Sequence, residues 1–245
     1  MAASVDRTTS KPRNILMVVA NPSVSEMTSW PIGFWAAEMV HPWYAFREVG
    51  YDVTLASPDG GKVEIDSLSD PRDDSRYSEY DVLSMGFLNT PALTAMWKDT
   101  PRLSELDLDE FDAIVVCGGQ APMYQFRNNE ELKTALAQFY ESEKPTAALC
   151  HGVSALIDLN VNGSYLIEGR TMTGFSNIEE DASNEAAGMT VQPWRIEDAA
   201  RERGAKYVSG GLWKPFAVRD GRLITGQQQY SGTEVAKLVT QALAT

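Results

Sequence analysis

The chain has 245 residues, a formal net charge of −13 and 43% hydrophobic residues. Acidic residues outnumber basic ones by 34 to 21, which argues against nucleic acid as a partner, because that binding rests on basic side chains that neutralise phosphates. No run approaches the ~20 apolar residues that cross a bilayer, and the length suits one α/β domain with a sizeable core.

Residues 1–12 lack the apolar segment of a secretory signal and are expected to form a disordered tail before a single domain over 13–245. The first buried strand is expected in NILMVVA, residues 14–20, and a helical pattern follows at about 34–48. YDVTLAS, residues 51–57, is a second strand candidate. The Asp-, Ser- and Pro-rich stretch 58–110 is expected to be an insertion that caps the domain. Next come FDAIVVCGG (111–119), a helix at about 129–143 and KPTAALC (144–150). Shorter strands are expected in LIEGRTMTGF (166–175) and GRLITGQ (221–227), with helices near 194–204 and 232–243. Strands that alternate with helices predict an α/β fold with a mostly parallel central sheet, covered on both faces.

In such sheets a ligand crevice lies beyond the carboxyl ends of the strands. Two strand candidates end there in the only cysteines, Cys117 and Cys150. Two cysteines offer no disulfide framework and suit a reducing compartment, so the cytoplasm is expected. Ala148-Leu149-Cys150-His151-Gly152 fits a strand-to-helix nucleophile elbow, which needs small residues two places before and after the nucleophile. A helix start beyond Cys150 would favour its thiolate and lower its pKa from roughly 8.5. The alternative is a buried structural cysteine, the reading given to Cys117.

Three other features bear on Cys150. Gly118-Gly119 lets backbone approach a ligand, and the amides of Gly119 and His151 are a candidate oxyanion hole. Glu38 shares a helical face with Phe34, Trp35, His41, Pro42 and Ala45. A carboxylate on that apolar face must keep its proton or find a donor; a solvated helix glutamate is the alternative. Pro42 cannot donate to the carbonyl of Glu38, so the helix is expected to kink or end there. His151 is the candidate acid/base, directed more at substrate than at Cys150, because adjacent side chains rarely face each other. His41 is expected to pack near the kink. Two histidines without a clustered pattern predict no metal site.

The segments GFWAAEMVHPWYAFREVGYDVTLASPDGG, VVCGGQAPMYQF, AALCHG, LIEGRTMTGF and DGRLITGQ resemble, in order and spacing, the ThiJ/PfpI superfamily, and within it the branch of glutathione-independent glyoxalase III and chaperone proteins. The resemblance implies a flavodoxin-like sandwich, usually a homodimer, with no metal or organic cofactor and a small-molecule substrate. It places the nucleophile at Cys150, its adjacent histidine at His151, the glutamate at Glu38 and the oxyanion glycine at Gly119. It also implies cysteine-dependent conversion of methylglyoxal-type 2-oxoaldehydes to 2-hydroxy acids. The chain departs from the pattern twice. Gly119-Gln120-Ala121 stands where many relatives carry Gly-His-Gly, and Gly226-Gln227-Gln228-Gln229-Tyr230-Ser231 stands where they read G-Q-N-P-x-S. Gln120 and Tyr230 are therefore expected in the substrate pocket, and Trp30, Trp35 and Trp43 are candidates for an apolar wall. Alternatives are an isonitrile hydratase-like lyase and a holdase chaperone or redox-sensing stress protein. A peptidase lacks a readable third member beyond Glu38 or an acidic residue such as Glu179.

Overall fold

The structure is a computed structural model that describes residues 12–244. Apart from Pro12, the tail expected over 1–12 lies outside the described residues. Six strands form the central sheet: β1 (Asn14–Val18), β2 (Asp52–Ala56), β3 (Ala113–Val116), β4 (Thr146–Leu149), β5 (Ala217–Asp220) and β6 (Leu223–Gly226). Their order is β5-β6-β4-β3-β1-β2, and every pairing is parallel except the hairpin of β5 with β6.

The apolar runs of β1, β3 and β4 are continuous because both sheet faces are covered. Ile15 and Met17 point to one face, where they meet Met39, Val40 and Phe46 of α1 (Ala36–Glu48) and Val235 and Val239 of α6 (Gly232–Leu243). Leu16 and Val18 point to the other, toward Leu136 and Phe139 of α3 (Glu130–Glu141) and Ile196 of α5 (Ile196–Glu202). The remaining longer helices are α2 (Val82–Leu88) and α4 (Asn177–Ala187). No helix among the described residues is long and apolar enough to cross a membrane.

Two expectations need correction. Of the kink or end expected at Pro42, the end is not found: helix α1 runs on to Glu48, as the pattern over 34–48 predicts. Pro42 removes one hydrogen bond, whereas buried residues on both sides of it, Met39 and Phe46 among them, hold the helix to the sheet. At this proline α1 lies close against α6, since a Cβ on Gly232 would stand 2.8 Å from the Pro42 ring. Second, only Thr171–Met172 of the 166–175 stretch is a strand, and it pairs with Lys206–Tyr207 outside the central sheet. The sequence patterns predict none of α2, α4 and β5.

Candidate functional site

The elbow forms where β4 stops. Leu149 is extended, with φ −140° and ψ 156°, and Cys150 then turns to φ +53° before 3-10 turns over Cys150–Leu156. A non-glycine residue at positive φ costs roughly 1–3 kcal/mol and persists only where its surroundings enforce it. Here glycines enforce it by close approach. A Cβ on Gly152 would lie 2.7 Å from the carbonyl oxygens of Val116 and Cys117, and one on Gly118 would lie 2.8 Å from the His151 and Gly152 amides. The ends of β3 and β4 thus pack backbone to backbone under the sulfur.

Glu38 arrives from the other side on the first turns of α1 and is fully buried. Its Oε2 accepts from the Gly118 amide at 2.8 Å, its Oε1 has no hydrogen-bond partner among the described residues, and the Cys150 thiol lies beside the carboxyl. Burial raises the Glu38 pKa to about 8, against the lowering pull of the Cys150 thiol and of the Gly118 amide bond. The group therefore keeps its proton at neutral pH, and the solvated alternative is excluded. Burial, then the charge of Glu38, also pushes the Cys150 thiol up, and only the His151 amide pulls it down. The expected lowering by a helix start is not found, because the sulfur is desolvated and a short 3-10 segment follows it.

His151 is turned toward its neighbour after all. Its Nδ1 stands 3.7 Å from the Cys150 Sγ, and its Nε2 bonds Glu180 Oε1 at 3.0 Å. The left-handed backbone at Cys150 brings these adjacent side chains together. Because the carboxylate accepts, the ring carries its hydrogen on Nε2 and offers the Nδ1 lone pair to the thiol. Phe175 packs on the imidazole with ring centres 4.2 Å apart.

The acidic partner is Glu180, not Glu179. Glu179 Oε2 closes the N-terminal cap of α4 on Ser176, accepting from its amide at 3.1 Å and its hydroxyl at 2.7 Å. Its Oε1 accepts from the Trp213 amide at 3.2 Å and from Gln227 Nε2 at 2.8 Å. The signal that could have located the helix is Ser176-x-x-Glu179, a capping-box pattern. Glu180 follows it directly.

Between β3 and the pocket, Gly119 has φ +113°, and a Cβ there would stand 2.5 Å from the Trp35 amide. Only glycine fits. The amides on either side of it are taken, that of Gly118 by Glu38 and that of Gln120 by Asp66 Oδ2 at 2.8 Å. The Gly119 amide donates to none of the described residues. Asp66, which sequence reasoning missed, also accepts from the Gly33 amide at 2.9 Å through Oδ1. Burial raises its pKa to about 6 although both amides oppose this.

Cys150, His151, Gly119 and Gln120 line one cavity of about 590 Å³, together with Trp30, Trp35 and Tyr77. Leu68 and Ser75 bring the 58–110 segment to the same wall. Tyr230 is not part of it. That side chain is half exposed and lines a neighbouring depression with His41, while Gln229 takes its place in the cavity. Trp43 also belongs elsewhere, partly buried and packed on the core beside Phe87 at 5.4 Å. His41 bonds Asp81 at 2.8 Å, and Cys117 is buried in the core. Among the described residues, no group of three His, Cys, Asp or Glu is placed to hold a metal ion.

Residues 32–242 match the DJ-1/PfpI family. Glyoxalase 3 of Candida albicans is 28% identical over 216 residues, covering 86% of this chain and 89% of that protein. The glutathione-independent glyoxalase HSP31 of Saccharomyces cerevisiae is 27% identical over 221 residues, with 86% and 89% covered. Among solved structures, the 24 kDa Rapid Encystment Protein of Francisella tularensis superposes with a TM-score of 0.84 at 31% identity, covering 94% of this chain and 99% of that one. The crystal structure of Candida albicans glyoxalase III gives 0.76 at 25% identity, with 94% and 97% covered.

Proposed function

Since the chain belongs to the DJ-1/PfpI family, we propose that it is a cysteine-dependent enzyme that converts 2-oxoaldehydes to 2-hydroxy acids without glutathione, a glyoxalase III-type hydro-lyase. The observation that carries this reading is the Cys150 sulfur held at positive φ between a buried carboxyl and a histidine at 3.7 Å, inside a cavity. Relatives named as glyoxalases lend it further support.

In this reading His151 Nδ1 takes the thiol proton, and Glu180 stabilises the imidazolium that results. The protonated Glu38 donates to the new thiolate, which adds to the aldehyde carbon. The amides of Gly119 and His151 receive the oxygen as charge develops on it. The imidazolium returns its proton to that oxygen. The neutral ring then removes the hydrogen from the first carbon and delivers it to the second, while the hydroxyl proton passes between the two oxygens. The product is a thioester of the 2-hydroxy acid. Water, activated by the same ring, cleaves it and restores the thiol, so the net change is addition of one water. The residues from 58 to 110 cap the pocket through Leu68, Ser75 and Tyr77. A cytoplasmic homodimer belongs to the same proposal and is checked by light scattering and by cell fractionation.

The test is loss of methylglyoxal and appearance of lactate without glutathione, measured beside Cys150→Ser. Turnover that the variant loses upholds the reading. No turnover, with Cys150 still readily alkylated, overturns it and makes isocyanides the next substrates. The His151–Glu180 pair favours a second reading, a cysteine hydrolase, because it supplies the third member that such an enzyme needs. Release of a chromophore from an activated ester, with no action on dicarbonyls, would select that reading.

A further inference from the structure

The cavity exceeds what a three-carbon aldehyde fills, and its wall changes character away from the sulfur. Its volume of about 590 Å³ lies in the range of pockets that enclose much larger ligands. Helix α4 runs along it. Glu180 stands beside His151, and Ala182, Ser183, Ala186 and Ala187 follow on the cavity side. At the rise of an α-helix, Glu180 to Ala187 spans about 10 Å. Small side chains along that length leave a slot, and aromatic side chains, among them Trp35, Tyr77 and Trp213, supply the apolar surface around it.

One polar group interrupts the slot away from the sulfur. Gln192 lines the cavity and is 6% exposed, yet among the described residues its Oε1 has no hydrogen-bond partner and its Nε2 donates to none. Its position along α4 is fixed by its neighbour, because the Val191 amide donates to Asn184 Oδ1 at 2.8 Å. Asn184 is one helical turn, about 6 Å, beyond Glu180. Gln120, 9% exposed and close to the sulfur, is unpartnered in the same way. A buried amide without a partner is unfavourable unless a ligand completes it.

Resting on the reaction proposed above, we infer that the preferred substrates are 2-oxoaldehydes bearing an aryl group with a hydrogen-bonding substituent opposite the dicarbonyl, which Gln192 recognises. The ring occupies the slot along α4. The aldehyde carbon meets Cys150, and the far substituent reaches the Gln192 amide.

The experiment compares kcat/KM for methylglyoxal, phenylglyoxal and 4-hydroxyphenylglyoxal in the wild type, Gln192→Leu and Ser183→Phe, with melting curves to confirm folding. Calorimetry of lactate and 4-hydroxymandelate binding to Cys150→Ser runs beside it. The expected order places 4-hydroxyphenylglyoxal first and methylglyoxal last. Gln192→Leu should lower the hydroxyphenyl-to-phenyl ratio about tenfold, the weight of one neutral hydrogen bond. Ser183→Phe should reduce the aryl rates more than the methyl rate. Equal kcat/KM for all three aldehydes, or a ratio unmoved by Gln192→Leu, overturns the inference and leaves the glyoxalase reading intact. If no aldehyde is consumed, that reading fails and calorimetry decides the pocket: tighter 4-hydroxymandelate than lactate upholds the aryl slot, and equal or absent binding overturns it.

Discussion

Two buried glutamates bear on the sulfur, Glu38 beside it and Glu180 through His151, and their surroundings differ. Glu38 is fully buried with one backbone amide bonded to it, so burial dominates and it holds its proton to about pH 8. Glu180 is nearly as buried but faces the imidazole of His151 at 3.0 Å, a partner that can take up positive charge. In the mechanism proposed above, the same side chain serves as an acid at one position and as a counter-charge at the other. The difference lies in which neighbour each carboxyl meets, and burial alone would not separate them.

The comparison collapses if the sulfur they bear on is not the reacting atom. Cys150→Ser should therefore lower kcat by about a thousandfold or more in the dicarbonyl assay, since the hydroxyl is a far weaker nucleophile at neutral pH. Glu38→Gln keeps an acceptor for Gly118 but cannot give up a proton, and should lower kcat on the order of a hundredfold, with the alkaline limb of the rate profile near pH 8 flattened. Glu180→Gln should cost about ten- to a hundredfold in kcat with little change in KM, because the ring keeps its place but loses its counter-charge. If both glutamine variants showed the same pH profile, the division of roles would be wrong.

The subtlest difference is in stability. Glu38 ionises near 4.5 in the unfolded chain and near 8 in the folded one, so between those values the folded state holds the extra proton. Its contribution is complete below the unfolded pKa and is lost as pH rises through the folded one. From about pH 5 to about pH 8, the melting temperature of Glu38→Gln should fall less than that of the wild type, by on the order of 5 °C. Parallel curves would show that Glu38 is not kept protonated by the fold.

The elements that were legible in the sequence are those that face the core. β1, β3 and β4 read as apolar runs because both sides are buried, and α1, α3 and α6 carry large apolar side chains at helical spacing. Helix α4 was illegible for the converse reason. Its inner side borders a cavity, so NIEEDASNEAA has small residues and buried carboxyls where a core helix has leucines. Glu180 was lost with it. Asp66 was hidden differently, because it joins amides at positions 33 and 120 that no local pattern connects. Cys150, His151, Gly119 and Glu38 could be singled out because elbow spacing, glycine and a charge on an apolar face are local anomalies. Tyr230 was misplaced by one residue in a loop, where no periodicity decides which side chain turns inward.

The close approach of Gly232 to the Pro42 ring gives the last helix a mechanical hold on the site. The ring is rigid, so a methyl group at position 232 would act as a wedge that only a shift of one helix could relieve. Glu38 sits one turn before Pro42 on the shifted helix. The reach of its carboxyl to the sulfur is thus set partly by a hydrogen atom on a glycine nearly two hundred positions later in the chain.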